Sequence, residues 1–292
     1  MRLWLLVASI LTVPVALVVA QQVPDTAFHP AISKPAFSPD RGPVLLLDEA
    51  HFNFHTSTER YLPFAELLRR DGYVVTPSRR LFTADVLRVA SVLVISNALN
   101  ERNQKDWSPP NPSAFGAIEV TAVRDWVAAG GALLLIADHK PFAGAAEDLG
   151  RAFGIRFLDG AVIRKGGSGP IVFRKLDGTL IDHPITRGID EVATFTGSSF
   201  QMDTPGQPLL VLGPETYSFA QQNDPRPVPV SGRLQGAVLL FGKGKVAVFG
   251  EAAMFSAQLA GPNKVPMGMN APIARQNSQF LLNVMHWLTG VP

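Results

Sequence analysis

Four apolar runs in this chain end in residues that can move a proton or hold an ion. Leu45-Leu46-Leu47 leads into Asp48-Glu49-Ala50-His51-Phe52-Asn53, and Leu133-Leu134-Leu135-Ile136 leads through Ala137 into Asp138-His139. Val246-Ala247-Val248-Phe249 leads into Gly250-Glu251, and Val92-Leu93-Val94-Ile95 into Ser96-Asn97. Two chemistries fit these residue types. In a metal-free acid–base site, His139 is the base, Asp48 or Glu251 orients it, and Glu251 serves as acid or base. In a metal site, Asp48, His51, Asp138 and His139 supply mixed nitrogen and oxygen ligands for a divalent ion such as zinc, with Glu251 beside them. His51, Asn53, Asn97 and Asp138 are also of the types that hydrogen-bond a small polar ligand. A third reading involves no chemistry, since Asp and Asn after a strand cap the turn or helix that follows. His29, His55 and His286 have no such neighbours and read as structural. His183, in Asp182-His183-Pro184, is a further site candidate, and Met254, Met267 and Met269 read as gap-fillers.

Several activities are excluded at once. The chain has no cysteine, which removes disulfides, thiolate zinc sites, iron–sulfur clusters and a cysteine nucleophile. No G-x-S-x-G elbow occurs; Ser198 and Ser199 lack that spacing. Asp48-Glu49-Ala50-His51 spells a helicase box, but the phosphate loop such a box works with is missing: Gly242-Lys243-Gly244-Lys245 precedes a strand pattern, and Gly166-Gly167-Ser168-Gly169 runs into Pro170. The net charge is +2, from 26 Lys and Arg against 24 Asp and Glu, and an excess of two leaves no footprint for nucleic acid.

For the polar strand ends to converge, the runs must lie side by side and parallel, and the intervening pattern predicts that. Val44–Leu47 reads as a short strand buried on both faces, and Tyr73–Val75, Val92–Ile95 and Leu133–Ile136 read as the second, third and fourth strands. Between them, Arg60–Arg70 reads as a helix stopped by Asp71-Gly72. Thr83–Ala90 reads as one capped by Thr83, and Phe115–Ala129 as one burying Ile118, Ala122, Val123, Trp126 and Val127 before Gly130-Gly131. A helix over Ala143–Phe153 follows. Strand–helix alternation with short links is the pattern of a parallel sheet covered by helices on both faces. The later half carries short strand-like runs, Ile171–Phe173 and Leu209–Leu212, and a hairpin from Ala237 to Phe249. It closes with a helix over Pro272–Leu288, capped by Asn270, with Ile273, Phe280, Leu281, Val284, Met285 and Leu288 on its apolar stripe. The expected fold is therefore an α/β, flavodoxin-like parallel sheet with β-hairpin additions, and ligands of such sheets bind beyond the carboxyl ends of the strands. The Pro-rich loop from Asn97 to Pro112, with Trp107, is placed to act as a lid or a partner surface.

Residues 1–20 have Arg2 ahead of an apolar run ending in Val18-Val19-Ala20, the shape of a cleaved export signal; kept, the run is about long enough to anchor in a bilayer. Both readings place the rest of the chain outside the cytoplasm, periplasmic or extracellular, with any membrane attachment through this segment. Residues 21–43 hold five prolines and read as an irregular linker outside the domain, which spans 44–292.

The segment Leu45–His51, the segment Val123–His139 with its central Gly130-Gly131, and Gly244–Glu251 together resemble the class I glutamine amidotransferase-like superfamily. More narrowly they resemble a secreted or membrane-attached bacterial branch, and the helix–Gly-Gly–strand–His segment is similar to ThuA-like proteins. The resemblance covers residues 43–292. It implies the layered α/β fold and a site on the rim where Asp48, Asp138, His139 and Glu251 are expected. Active amidotransferases carry a cysteine on the turn after the strand that here ends at Ala137. This chain has Asp138-His139 there, so cysteine-dependent glutamine hydrolysis is excluded. The functional expectation is an exported domain that binds, and as an enzyme hydrolyses, a small polar ligand such as a sugar or cell-envelope fragment. The alternative is a non-catalytic binding or scaffold module of an envelope complex. In the first case the rim side chains converge on one point; in the second they turn into separate caps.

Overall fold

The structure is a computed structural model, and it describes residues 22–167, 169–219 and 226–291. The expected export segment lies outside them. A nine-stranded sheet forms the centre, built from β1 (Val44–Asp48), β2 (Val74–Ser78), β3 (Val92–Ser96), β4 (Ala132–Ile136), β5 (Ile155–Leu158), β6 (Ser199–Met202), β7 (Gln207–Val211), β8 (Leu234–Phe241) and β9 (Gly244–Phe249). Its order is β2-β1-β3-β4-β9-β8-β6-β5, with β7 also on β8. The pairs from β2 through β9 are parallel, and those beyond β9 are antiparallel. The sheet is thus mixed: a parallel block extended by an antiparallel one, the two joined by the expected β8–β9 hairpin.

Alternation along each strand sends side chains to two cores. Leu45, Leu47, Val94, Leu134, Ile136 and Phe249 meet α1 (Leu62–Arg70) and the C-terminal helix on one face. Leu46, Leu93, Ile95, Leu133, Leu135 and Val248 meet α2 (Ala84–Leu87) and α3 (Ala117–Ala128) on the other. Strands buried on both faces must be apolar at every position, which is why these runs show no alternation in sequence.

Several elements depart from expectation. Thr83 caps α2, with Val86 N donating to its Oγ1 at 3.3 Å, but the helix is a single turn. Helix α3 buries Val123 and Val127, whereas Ile118 is 82% exposed, because at about 100° per residue it falls on the opposite side of the helix from both. The helix expected over Ala143–Phe153 is two short ones, α4 (Phe142–Ala145) and α5 (Glu147–Arg151), in a stretch weakened by Gly144 and Gly150. The last helix, α6 (Asn277–Thr289), is preceded by a separate 3₁₀ turn at Pro272–Ala274. Asn270 does not cap it; its amide donates to Asp25 Oδ2 and to the Gln258 carbonyl.

The Pro-rich segment is irregular but is not set apart from the domain. Gln22–Pro24 pairs antiparallel with a strand at Ala257–Ala260, and Phe28, Ile32 and Phe37 pack on the core. The Phe37 ring stands edge-on to Tyr73 at 5.1 Å, and Ala36 N donates to buried Asp71 at 2.8 Å. Prolines remove regular hydrogen bonding but not the apolar area of the residues between them, and that area is what docks the segment.

Candidate functional site

Beyond the carboxyl end of β1 the chain turns sharply, and Asp48 stays fully buried. His51 Nδ1 lies 2.9 Å from both Asp48 oxygens, and its Nε2 lies 2.9 Å from Glu119 Oε1, on the first turn of α3. Asn53 closes the group: its amide donates to Asp48 Oδ2 at 2.9 Å, and its Oδ1 accepts from His51 N at 3.0 Å. Glu119 also accepts from Phe82 N and Gly116 N. The imidazole packs against the rings of Phe82 and Phe115, with centroids 4.7 and 4.8 Å away, and those two rings also stack on each other. Burial pulls the His51 pKa down, but the hydrogen bonds and charges of Asp48, then of Glu119, reverse this, and the net shift is upward. An imidazole with a carboxylate on each nitrogen is a charged donor on both sides. It has no free nitrogen for a metal or for proton abstraction.

The second group lies beyond β4 and β9. Asp138 N donates to Asn97 Oδ1 at 2.9 Å, and Asn97 itself has a left-handed backbone, φ 49°. Asp138 Oδ1 accepts from His139 N at 2.6 Å and Oδ2 from Ala252 N at 3.2 Å, tying the β4 turn to the β9 turn. Glu251 is buried and accepts from Ala253 N at 2.9 Å and Met254 N at 2.7 Å. Burial first, and the Asp138 charge second, push the Glu251 pKa well above the usual carboxylate range.

His139 differs from both groups. Its Nδ1 donates to the Lys140 carbonyl at 2.7 Å, which fixes the tautomer and leaves Nε2 without a hydrogen bond among the described residues. Trp107, from the loop expected as a lid, lies 6.0 Å from the imidazole and packs edge-on against Phe142 and Phe54 at 5.2 and 5.7 Å. Nearby His55 is structural: it bonds Ser96 Oγ at 3.2 Å, stacks on Tyr61 at 4.4 Å, and burial, then Arg60 and His139, hold its pKa well below 6.5. His183 caps the 3₁₀ turn at Pro184–Thr186 by accepting from Ile185 N, and His286 bonds Asp71 at 2.6 Å.

The rim therefore collects the expected residues but divides them. Asp48, His51 and Asn53 form one closed group; Asn97, Asp138 and Glu251 serve a set of turns; His139 stands alone. The metal set Asp48, His51, Asp138 and His139 is not assembled, and among the described residues no three His, Asp or Glu side chains are placed to hold an ion. Asp48 does not orient His139, because its oxygens are taken by His51 and Asn53. The residue that sequence reading missed is Glu119. Its signal was the spacing from Gly116, a glutamate three residues after a helix start. Among the described residues, concavities of about 420, 480 and 430 Å³ lie beside α6 and the Phe28 segment, beside Trp287 and Leu240, and beside Trp126 and Gly131, each away from the rim.

No protein-family model and no curated protein matches the chain. Among solved structures, the mmIFT52 N-terminal domain superposes with a TM-score of 0.61 at 16% identity, over 84% of this chain and 97% of that one. A cytoplasmic protein from Salmonella typhimurium LT2 gives 0.52 at 18% identity, over 84% and 98%. This chain shares their fold. A putative ThuA-like protein from Bacteroides uniformis gives 0.48 at 12% identity, over 89% and 94%.

Proposed function

We propose that this chain is an exported, amidotransferase-like α/β module that binds without reacting, as a scaffold component of a cell-envelope complex. One observation carries the reading. The strand-end carboxylates are committed to separate closed groups: Asp48 to His51 and Asn53, Asp138 to two turn amides, Glu251 to two more. Groups fully bonded within the fold have nothing left to offer a reacting atom. The amidotransferase-like assignment rests on the strand-end motifs, and export on the N-terminal segment.

A hydrolase reading is supported by a single feature, the unbonded Nε2 of His139 under Trp107. Metal content and turnover separate the two. Under the scaffold reading the purified chain holds no stoichiometric zinc or manganese and turns over neither sugars nor peptidoglycan fragments, and His139→Ala changes nothing but local packing. Near one equivalent of metal, or turnover lost in His139→Ala with the fold intact, would overturn it.

A further inference from the structure

We infer that the strand-end rim is a lipid-contacting face, seating the domain on an anionic membrane surface. This stands apart from the scaffold reading and does not rest on it. Three exposed apolar residues each lie one position in the chain from a residue that contacts or belongs to the His51 group. Phe52 follows His51, Leu81 precedes Phe82, and Ile118 precedes Glu119; they are 47%, 59% and 82% exposed. Trp107, 39% exposed, belongs to the same rim through Phe54 and His139. Phe52 is also held at φ 47°, a left-handed conformation unfavourable for a bulky side chain. His51 N bonds Asn53, and the His51 carbonyl accepts from Leu99 N at 2.8 Å, so the surroundings hold the strained residue with its ring partly in water. Nothing inside the fold is gained by that exposure.

Charge and chain path select the occupant. The rim's acids face inward: Asp48 and Glu119 are bonded to His51, and Glu49 is covered and bonded to Ser57 and Arg79. Arg79, exposed, is shared with Glu49, and the cation left facing outward next to Leu81 is Arg80. Exposed charges on the flanks offset one another, Asp85 with Arg88 on α2, and Glu101 and Asp106 with Arg102 and Lys105 in the loop. What faces solvent at the centre is thus apolar and cationic, the composition that enters a headgroup layer. The described chain begins on this side. Gln22–Pro24 pairs with Ala257–Ala260, a strand that leaves the turn after Glu251, and its register runs outward from Pro24 opposite Gln258 to Gln22 opposite Ala260. The apolar run of residues 3–20 immediately precedes it. An anchor retained in that run would tether the chain from the end at which the described residues begin.

The absence of cysteine makes the test direct. The full chain carrying Ile118→Cys, labelled with a polarity-sensitive fluorophore, is mixed with vesicles containing phosphatidylglycerol; Leu176→Cys, at another exposed position, is the control. The expected result is a blue shift at position 118 and quenching by spin-labelled lipid, neither seen at 176. Arg80→Gln should lower the ratio of inserted to free probe roughly five-fold on these vesicles and leave it unchanged on neutral ones. Equal quenching at the two positions, or no quenching at 118, overturns the inference. So does a shift at 118 that appears without lipid, which would mark a protein contact instead.

Discussion

The imidazole of His51 and the carboxylate of Glu119, 68 residues apart in the chain, meet at 2.9 Å. The bond ties the turn after β1 to the start of α3, across the seam where β1 separates β2 from β3. In an open α/β sheet this seam is where a ligand is expected, since the connections leave β1 and β3 in opposite directions. Here an internal ion pair fills it.

That pair makes stability depend on pH with a definite sign. The His51 pKa is raised on folding, so its contribution is complete below its ordinary value of 6.5 and is lost as pH rises through the folded value. The Glu119 pKa is lowered despite partial burial, by bonds from Phe82 N, Gly116 N and His51. Its contribution is present above its ordinary 4.5 and lost as pH falls through the folded value. Thermal denaturation should therefore show falling stability above about pH 6.5. His51→Gln should remove that alkaline decline and cost about 3 kcal/mol at pH 6, since it leaves Asp48 buried without its counter-charge. An unchanged alkaline slope in the variant would assign the dependence elsewhere.

Glu251 holds two successive amides in a buried turn. Glu251→Ala strips the acceptor from Ala253 N and Met254 N, and should cost about 2 to 4 kcal/mol by urea denaturation. The raised pKa adds a second expectation. An acid that keeps its proton in the folded state loses stability as pH climbs from its ordinary 4.5 toward the folded value, and Glu251→Ala should flatten that part of the curve. A substitution costing nothing would mean that the turn relaxes to solvent.

Asp71 joins three elements: it follows α1, accepts from Ala36 N, and bonds His286 on α6. Asp71→Ala should release the segment 25–41 first. Limited proteolysis followed by mass spectrometry should find new cuts there while the sheet stays protected. Cuts distributed throughout the domain would show instead that the segment is integral to global stability.

Trp107 covers His139. Trp107→Ala should raise the rate at which diethyl pyrocarbonate modifies His139, read peptide by peptide, with little change at His51, whose nitrogens are both bonded. Equal rates with and without the indole would show that the loop does not shield the histidine.

The parallel block was legible because its central strands β1, β3 and β4 carry unbroken apolar runs, and the β8–β9 hairpin because Gly242-Lys243-Gly244 interrupts two such runs. The rim was legible as a location and not as an arrangement. Nothing local to His51 announces Glu119, and a strand-end aspartate looks alike whether it serves a neighbouring imidazole or a substrate. Residues 22–43 were misread because proline density reports the absence of regular bonding, while docking depends on Phe28, Ile32 and Phe37. Ile118 was misplaced because it was grouped with Val123 and Val127, although at about 100° per residue it lies on the opposite side of the helix from both.

The position of β9 has a consequence for synthesis. It completes the parallel block beside β4, yet β4 ends at Ile136 and β9 begins only at Gly244. Until Phe249 has left the ribosome, β4 presents an unpaired edge of Leu and Ile, the kind that pairs with other chains. A nascent chain that must wait so long for its last parallel strand remains open for most of its translation. Such a chain is still threadable through a narrow pore when its synthesis is nearly complete.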